Sequence, residues 1–402
     1  MDERTVPIPQ AREVNKALLF VSLAVLLATS TWFSGTAATP LLQQAWQLSP
    51  TQIPWLTISV QLGFIVGTLL YALFNLADVF NARRVFFVSA ALGALFNAGF
   101  ALLAGGLPTA LVFRFLTGVT LAGIYPVGMK IVASWVQSGL GWRLGVMVGA
   151  LTLGTASPYL IQAFGSLVGW RTLVASASLL TLFGGALMLV CVKDGPFLRQ
   201  RATFNVRMMF KVFQHRPFRL TALGYFGHMW ELYAFWSLLA FYLKASLQGQ
   251  QAWLSSLPLV VFAVIGTGAL GCALGGWFSR SLGERRVALL SLLVSSGMCL
   301  VSGFVFALPA GALLPLLLLW GFFVVSDSPQ FSALAARHAP PEYTGTALNV
   351  QNGLGFAVTV VSIQLLPWLA GGVGWRWSFT FLALGPLLGA YFMRALGKVE
   401  PG

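Results

Sequence analysis

Charge is scarce in this chain, and acid is scarcer than base. Only 8% of its 402 residues are Asp, Glu, Lys or Arg, and the ten acids face twenty-four bases. A soluble domain carries roughly a quarter charged residues. With 57% of residues hydrophobic and a mean hydropathy of +0.82, no water-facing fold buries the apolar surface, and lipid is the solvent. Cysteine occurs three times. Cys191, Cys272 and Cys299 stand alone inside apolar segments, so neither a disulfide framework nor a metal-ligand spacing follows, and they are expected to be packing residues. The sequence has no Gly-rich phosphate loop with its lysine, which disfavours a pump driven by bound ATP. It offers no nucleophile with its base and no soluble appendage, so neither an enzyme nor a cofactor or metal is expected. The net charge of +14 would suggest nucleic acid in a soluble protein. Here it reads as charge sorted across a bilayer, and no nucleic-acid partner is expected.

What the chain has in abundance is apolar runs. About 20 residues cross a bilayer core, and twelve spans are expected at 16–37, 53–76, 84–104, 109–133, 143–166, 170–192, 218–243, 254–278, 286–307, 313–335, 345–369 and 376–396. Residues 1–16 carry mixed charge and no small-x-small cleavage site follows them, so the first run is expected to be a membrane helix and not a cleaved leader. Connections are short, except that residues 193–219 hold seven Lys/Arg against one Asp. The stretch 193–217 is therefore expected to be a basic cytoplasmic linker between six-helix bundles at 1–192 and 218–402.

If the termini and every second loop are cytoplasmic, that side receives twenty of the twenty-four Lys/Arg. The bias of bases toward the cytoplasm then predicts a multi-pass protein of the inner (plasma) membrane with both termini inside. Only Arg171, Lys244 and Arg376 flank the other face, and Arg114 lies within a span.

The chain also repeats itself. Gly169-Trp170-Arg171 recurs as Gly374-Trp375-Arg376, 205 positions on, and Arg83-Arg84-Val85 recurs as Arg285-Arg286-Val287, 202 positions on. Offsets of half the chain indicate two related halves in tandem, the architecture of solute carriers whose binding site lies between repeats. Forty-three glycines include the pairs Gly63/Gly67, Gly145/Gly149 and Gly271/Gly275. Such small-xxx-small pairs bring helix backbones close and are expected either as ordinary contacts or as surfaces that slide between the halves.

The turn after the second span resembles the signature loop of the major facilitator superfamily. Leu76, Ala77, Asp78, Phe80, Arg83 and Arg84 carry the match, while Phe74, Val79 and Asn81 stand where the family has Gly, Arg and Gly. Asn is the best substitute for Gly at a left-handed position. The second copy keeps Gly276, Gly283, Arg285 and Arg286, with Arg280 in place of the acid. Arg114 and Gly118 resemble the family's Arg-x-x-x-Gly element, and Gly149, Gly154 and Pro158 loosely resemble a motif of its drug–proton antiporters. The resemblance covers the whole chain. It implies an all-α membrane protein of twelve transmembrane helices in two pseudo-symmetric six-helix bundles around a cavity lined by helices 1, 4, 7 and 10. It further implies that Asp78, Arg83 and Arg84 lock the cytoplasmic side when the outer side is open. The plainer alternative is that the arginines anchor helix ends at lipid phosphates. Spans 2 and 8 lack the basic residues, and spans 5 and 11 the Gly-Trp-Gly-Asn element, of the family's nitrate carriers. Spans 1 and 7 resemble the cyanate-permease-like branch.

Ionisable groups within a membrane are costly and default to functional candidates. Glu231 lies about 15 Å into the seventh span at 1.5 Å per residue, and Asp327 lies near the middle of the tenth. His228, three residues before Glu231, shares its helix face and belongs to the one residue type that titrates near neutral pH unperturbed. These three are the candidates for proton coupling, set against structural hydrogen bonding between helices. Asp327 precedes Ser328-Pro329, where it serves equally well as a local acceptor at a broken helix. Arg114 either attracts an anionic solute or ties its helix to neighbouring carbonyls. Trp32, Phe33, Tyr125, Tyr225, Trp230, Tyr233 and Trp236, with Asn349 and Asn352, are candidates for lining a solute cavity. Gln61 and Gln351 are further uncharged donors and acceptors.

The function these residues support is a secondary transporter of a small organic solute, working by alternating access with protons coupled through Glu231 and Asp327 or His228. Its partners are the solute, protons and lipid, and it is expected to work as a monomer. A drug/proton antiporter is the alternative of the same kind, with import and export left open. A membrane sensor without transport is the alternative of a different class.

Overall fold

Apolar runs in lipid must satisfy their backbone internally, and a helix does so within one segment. The computed structural model describes residues 9–136, 139–164, 169–197, 211–340 and 344–400, apart from the side chains of Asp78 and Thr344. Among these residues the secondary structure is helical throughout. The membrane helices are α1 (Ala11–Trp46), α2 (Trp55–Leu73), α3 (Ala82–Leu103), α4 (Leu107–Ala133), α5 (Leu140–Phe164), α6 (Trp170–Cys191), α7 (Arg216–Ser246), α8 (Leu257–Leu282), α9 (Glu284–Val305), α10 (Ala310–His338), α11 (344–373) and α12 (375–396). Among the described residues, ten stretches are long and apolar enough to cross a membrane, and the last of them, Gly345–Leu396, has 52 residues. At 1.5 Å per residue that is about 78 Å, more than two bilayer cores. It turns at Gly374 (φ 74°, ψ 163°) into α11 and α12. The 31 residues of α7 fall short on hydropathy because they carry His228, Glu231 and several basic residues, yet they are long enough to span. Ten stretches, one divided, plus α7 give the twelve passes.

Among the described residues α12 passes through a 3₁₀ turn at Phe379–Ala383, and α1, α4 and α10 are broken nearer their middles. In α1, Thr29 and Ser30 turn their hydroxyls onto the carbonyls of Val25 and Leu27, each at 2.8 Å, and Ser34 onto Thr31 at 3.0 Å. Side chains that compete for backbone carbonyls weaken the helix, and residues 29–33 pass through a 3₁₀ turn before the helix resumes at Ser34. In α4 the break follows Leu121 and helix resumes at Tyr125 with Pro126 in its first turn. In α10 it falls at Asp327, with Pro329 in the next first turn, because proline supplies no amide to the preceding turn.

The two halves seat their helices alike. A methyl built on Gly118 of α4 would meet the Val60 carbonyl oxygen of α2 at 2.2 Å, and one on Gly321 of α10 would meet the Val264 oxygen of α8 at 1.9 Å. The glycine pairs divide between two jobs. Those at 63/67 and 271/275 press α2 onto α4 and α8 onto α10, inside each half, so they are not sliding surfaces. Gly145 and Gly149 of α5 cross between the halves, with Cβ positions 2.6 Å from the Cys272 oxygen and 2.8 Å from the Ala269 oxygen of α8. The other broad contact between halves joins α2 to α11.

Most bases gather at the membrane face that carries the starts of α1, α3, α5, α7, α9 and α11, called here the basic face. There, Arg83 Nε lies 3.0 Å from Asp194 Oδ1 and its Nη2 3.1 Å from Oδ2, while Nη1 donates to the Val192 carbonyl. Arg285 repeats this contact in the second half, with Nε 2.9 Å from Glu400. Asn81 does not take the left-handed turn expected of it. It is extended (φ −59°) and its side chain caps α3 by accepting from the Arg84 amide. The left-handed residue is Asn75, at φ 47°. Asp78 lies in a short helical turn, Leu76–Val79, and its side chain is outside the described residues.

Candidate functional site

The break in α1 turns Trp32 and Phe33 toward the second half. Both are buried, and their rings lie 6.0 and 6.1 Å from that of Tyr233 on α7. Phe64 of α2 and Phe356 of α11 stack beside them, 4.4 Å apart, and Trp236 meets Phe33 edge-on at 6.2 Å. Aromatic pairs at such separations attract beyond their area burial. Four helices, two from each half, thus meet on one aromatic plug. Trp32 also donates through Nε1 to Gln61 Oε1 at 3.3 Å, whereas Gln61 Nε2 and Trp236 Nε1 are buried with no hydrogen-bond partner among the described residues.

Arg114 holds the break from behind. Its guanidinium is buried and donates to the carbonyls of Thr31 at 2.8 Å and Trp32 at 2.5 Å, to Asn97 Oδ1 at 3.1 Å and to Ser34 Oγ at 3.2 Å. No carboxylate pairs with it among the described residues. Of its two expected roles, the geometry displays the tie to neighbouring carbonyls. The fork of guanidinium donors suits the two carbonyls that the broken helix releases.

Nearer the basic face, α7 and α10 bring together Tyr225, His228, Asp327 and Phe331. His228 Nδ1 lies 2.9 Å from Asp327 Oδ1, both buried, and His228 Nε2 has no partner among the described residues. The Tyr225, His228 and Phe331 rings lie within 6 Å of one another. Across from them, Tyr125 of α4 meets Ser332 of α10.

Glu231, one turn further along α7, points to a different place. Its Oε1 accepts from Ser295 at 2.5 Å and Cys299 at 3.2 Å, both on α9, and from the Trp320 indole of α10 at 2.6 Å. It is sequestered inside the second half and stands apart from the aromatic plug. The sequence places its depth but gives no sign of these three donors. Trp230 likewise leaves the expected cavity, since its ring lies against Gly385 of α12.

Asn349 and Asn352 line a small cleft of about 90 Å³ between α4, α5, α10 and α11, with Tyr125's neighbours Pro126 and Met129. A larger vestibule of about 330 Å³ opens on the opposite face and is lined from both halves. Gly149 and Gly154 serve close contacts, to α8 and to the α1 carbonyl of Leu26. Arg84 and Arg286 are exposed. Asp194 and Glu400, partners of the loop arginines, escaped the sequence reading. The parallel Lys193-Asp194 and Lys398-Val399-Glu400, each closely following the last helix of its half, was the available signal.

A family model described as the Major Facilitator Superfamily matches residues 20–363. The chain belongs to that superfamily. Members of it are transporters and not enzymes. Among curated relatives, this superfamily chain is 28% identical over 127 residues to a probable galactarate/D-glucarate transporter, GudP, of Escherichia coli strain K12. It is 32% identical over 119 residues to the niacin transporter NiaP of Acinetobacter baylyi. The first match covers 30% of this chain and 28% of the relative, the second 26% of each, so each spans only about a quarter of the relative. Among solved structures, the xylose transporter XylE of E. coli in a partially occluded inward-open conformation gives a TM-score of 0.74 at 14% identity, covering 96% of this chain and 98% of that one. The human organic anion transporter MFSD10 gives 0.72 at 18% identity, covering 94% and 99%. These likenesses establish the major facilitator fold and a multi-pass integral membrane protein.

Proposed function

We propose that this protein is a secondary transporter that moves a small organic acid by alternating access, with protons as the coupling ion. The observation that carries the reading is the buried trio on α7 and α10. His228 meets Asp327 at 2.9 Å, and Glu231 sits one turn away with neutral donors only. His228 can balance at most one of the two carboxylates. Balancing the second, with no Lys or Arg paired to it among the described residues, takes a proton. A proton gained or lost there changes the hydrogen bonding of α7 to α9 and α10, which is how it would bias one packing of the helices over another. Support for an organic acid comes from the relatives, which are named for galactarate, D-glucarate and niacin, all carboxylates near neutral pH.

In this reading the basic face is cytoplasmic, both termini lie there, and the membrane is the inner one. Bundles 1–192 and 218–402 rock as units joined by 193–217, the monomer suffices, and the aromatic plug separates the clefts on the two sides. The test is uptake into proteoliposomes of nicotinate and D-glucarate, with nicotinamide as the neutral comparison, under an imposed pH gradient. Accumulation of an acid driven by the gradient and abolished by a protonophore is expected. Gradient-driven accumulation should vanish in Glu231→Gln and His228→Asn while solute exchange persists. Accumulation under the reversed gradient would assign antiport in place of symport. Uptake by the wild type that ignores the gradient for every acid would end the proposal.

A further inference from the structure

The segments that join helices at the face opposite the basic one, 47–54, 104–106, 165–169, 247–256, 306–309 and residue 374, contain no Asp or Glu. The cations at that face are Arg171, Lys244 and Arg376. Arg171 stacks on its neighbour Trp170, 4.6 Å from the ring centre. Arg376 donates to the Gly303 carbonyl at 3.0 Å. Lys244 has no acid partner among the described residues, is exposed, and lines the 330 Å³ vestibule. A face with positive charge and no acid raises the local concentration of anions, and the vestibule is where that charge meets a cavity. Its volume suits a small ligand.

The rest of the lining decides what kind of anion. Phe241 and Trp375 form a flat wall, with ring centres 5.8 Å apart and planes 16° from parallel. Leu238, Ile53, Pro50 and Pro367 extend the apolar surface, and the amide of Gln43 and the indole N–H of Trp375 are the other polar side-chain groups. A polyhydroxylated diacid would find one cation for its two carboxylates and few polar side chains for its several hydroxyls, which are costly to leave unpaired. A flat apolar body with a single carboxylate fits: the ring lies along the wall and the carboxylate reaches Lys244. Leu238 follows Trp236 by two residues, about 3 Å along α7, so the vestibule reaches nearly to the depth of the aromatic plug.

We propose that this vestibule is a capture site for an aromatic monocarboxylate, with Lys244 as the group that recognises the carboxylate before the plug opens. The proposal rests on the transport reading above and narrows its solute class. Nicotinate is the probe and nicotinamide its neutral control. In vesicles of single orientation, Lys244→Gln should raise the KM for nicotinate about fivefold, the scale of one solvent-exposed ion pair. The rise should appear only from the vestibule side and leave kcat unchanged. Lys244→Arg should restore the wild-type KM, and added salt should raise KM in wild type but not in Lys244→Gln. Independently of transport, nicotinate and not nicotinamide should protect Lys244 from an amine-acylating reagent, read by mass spectrometry of the wild-type protein. Protection without any nicotinate flux would retire nicotinate as cargo and keep the site. An unchanged KM in Lys244→Gln, a rise of KM from both sides, or equal protection by nicotinamide would overturn the site, whatever becomes of proton coupling.

Discussion

Arg114 places Nη2 2.5 Å from the carbonyl oxygen of Trp32, at the point where α1 gives up its own helical hydrogen bonds. The arginine belongs to α4 and the carbonyl to α1, so one side chain both closes a broken helix and fixes the ring that meets the second half.

Removing it should therefore cost stability first. Arg114→Leu orphans the buried Trp32 carbonyl and leaves that of Thr31 to Ser34 alone, so a loss of roughly 1–3 kcal/mol is expected. Arg114→Lys should recover less than half, because one ammonium cannot serve both carbonyls in the fork geometry. Thermal unfolding in detergent, followed by tryptophan fluorescence, measures both. A Tm for Arg114→Leu equal to wild type would contradict the role.

The arginine–acid contacts at the basic face should behave as weak, exchangeable ties. Arg83 and Asp194 are 26% and 31% exposed, and partly exposed pairs are worth about 1 kcal/mol or less. Arg83→Glu and Asp194→Arg should each lower transport, and the double exchange should recover most of it. Additive losses in the double variant would show that the two do not act as a pair.

Two glycines should fail in different ways. Gly118→Val drives a side chain into the Val60 carbonyl inside one half, so folded protein should be lost, as read by size-exclusion yield. Gly145→Val intrudes on α8 across the halves. It should leave folded, monodisperse protein whose transport is blocked and whose basic-face cysteine probes label faster. Equal yield losses in both would mean that the α5–α8 contact is as fixed as the α2–α4 contact.

Glu231→Gln keeps an oxygen for Ser295 and Trp320, so stability should change by no more than about 1 kcal/mol. In the proton-coupled reading proposed above, its transport should lose the pH dependence expected of the wild type. Paired uptake curves over a pH series test this, and a curve that overlays the wild type would remove Glu231 from the coupling.

Membrane helices are the legible part of this sequence, because an apolar run in lipid has no other way to satisfy its backbone. The repeat was legible too, since duplicated turns keep their Gly, Trp and Arg. What each helix faces was not. α7 is buried on several sides, so no apolar stripe separates Trp230, against α12, from Trp236, against Phe33. Nor could spacing show that Glu231 turns to α9 while His228, three residues earlier, turns to α10. The break at Asp327 is announced by Pro329. The break at Thr29–Thr31 has no proline and arises from hydroxyls that bond to backbone, a pattern many unbroken helices share.

An unequal pair of arms follows from that last contrast. The helix that opens the first half is jointed at the level of the plug, while its counterpart, α7, runs as one rod of 31 residues. When such a pair tilts, bending gathers at the joint and the rod transmits its motion undiminished from end to end. The plug then has a pliant neighbour on one flank and a stiff one on the other. The joint is thus made by Thr29, Ser30 and Ser34, three small hydroxyl residues remote from any charge pair.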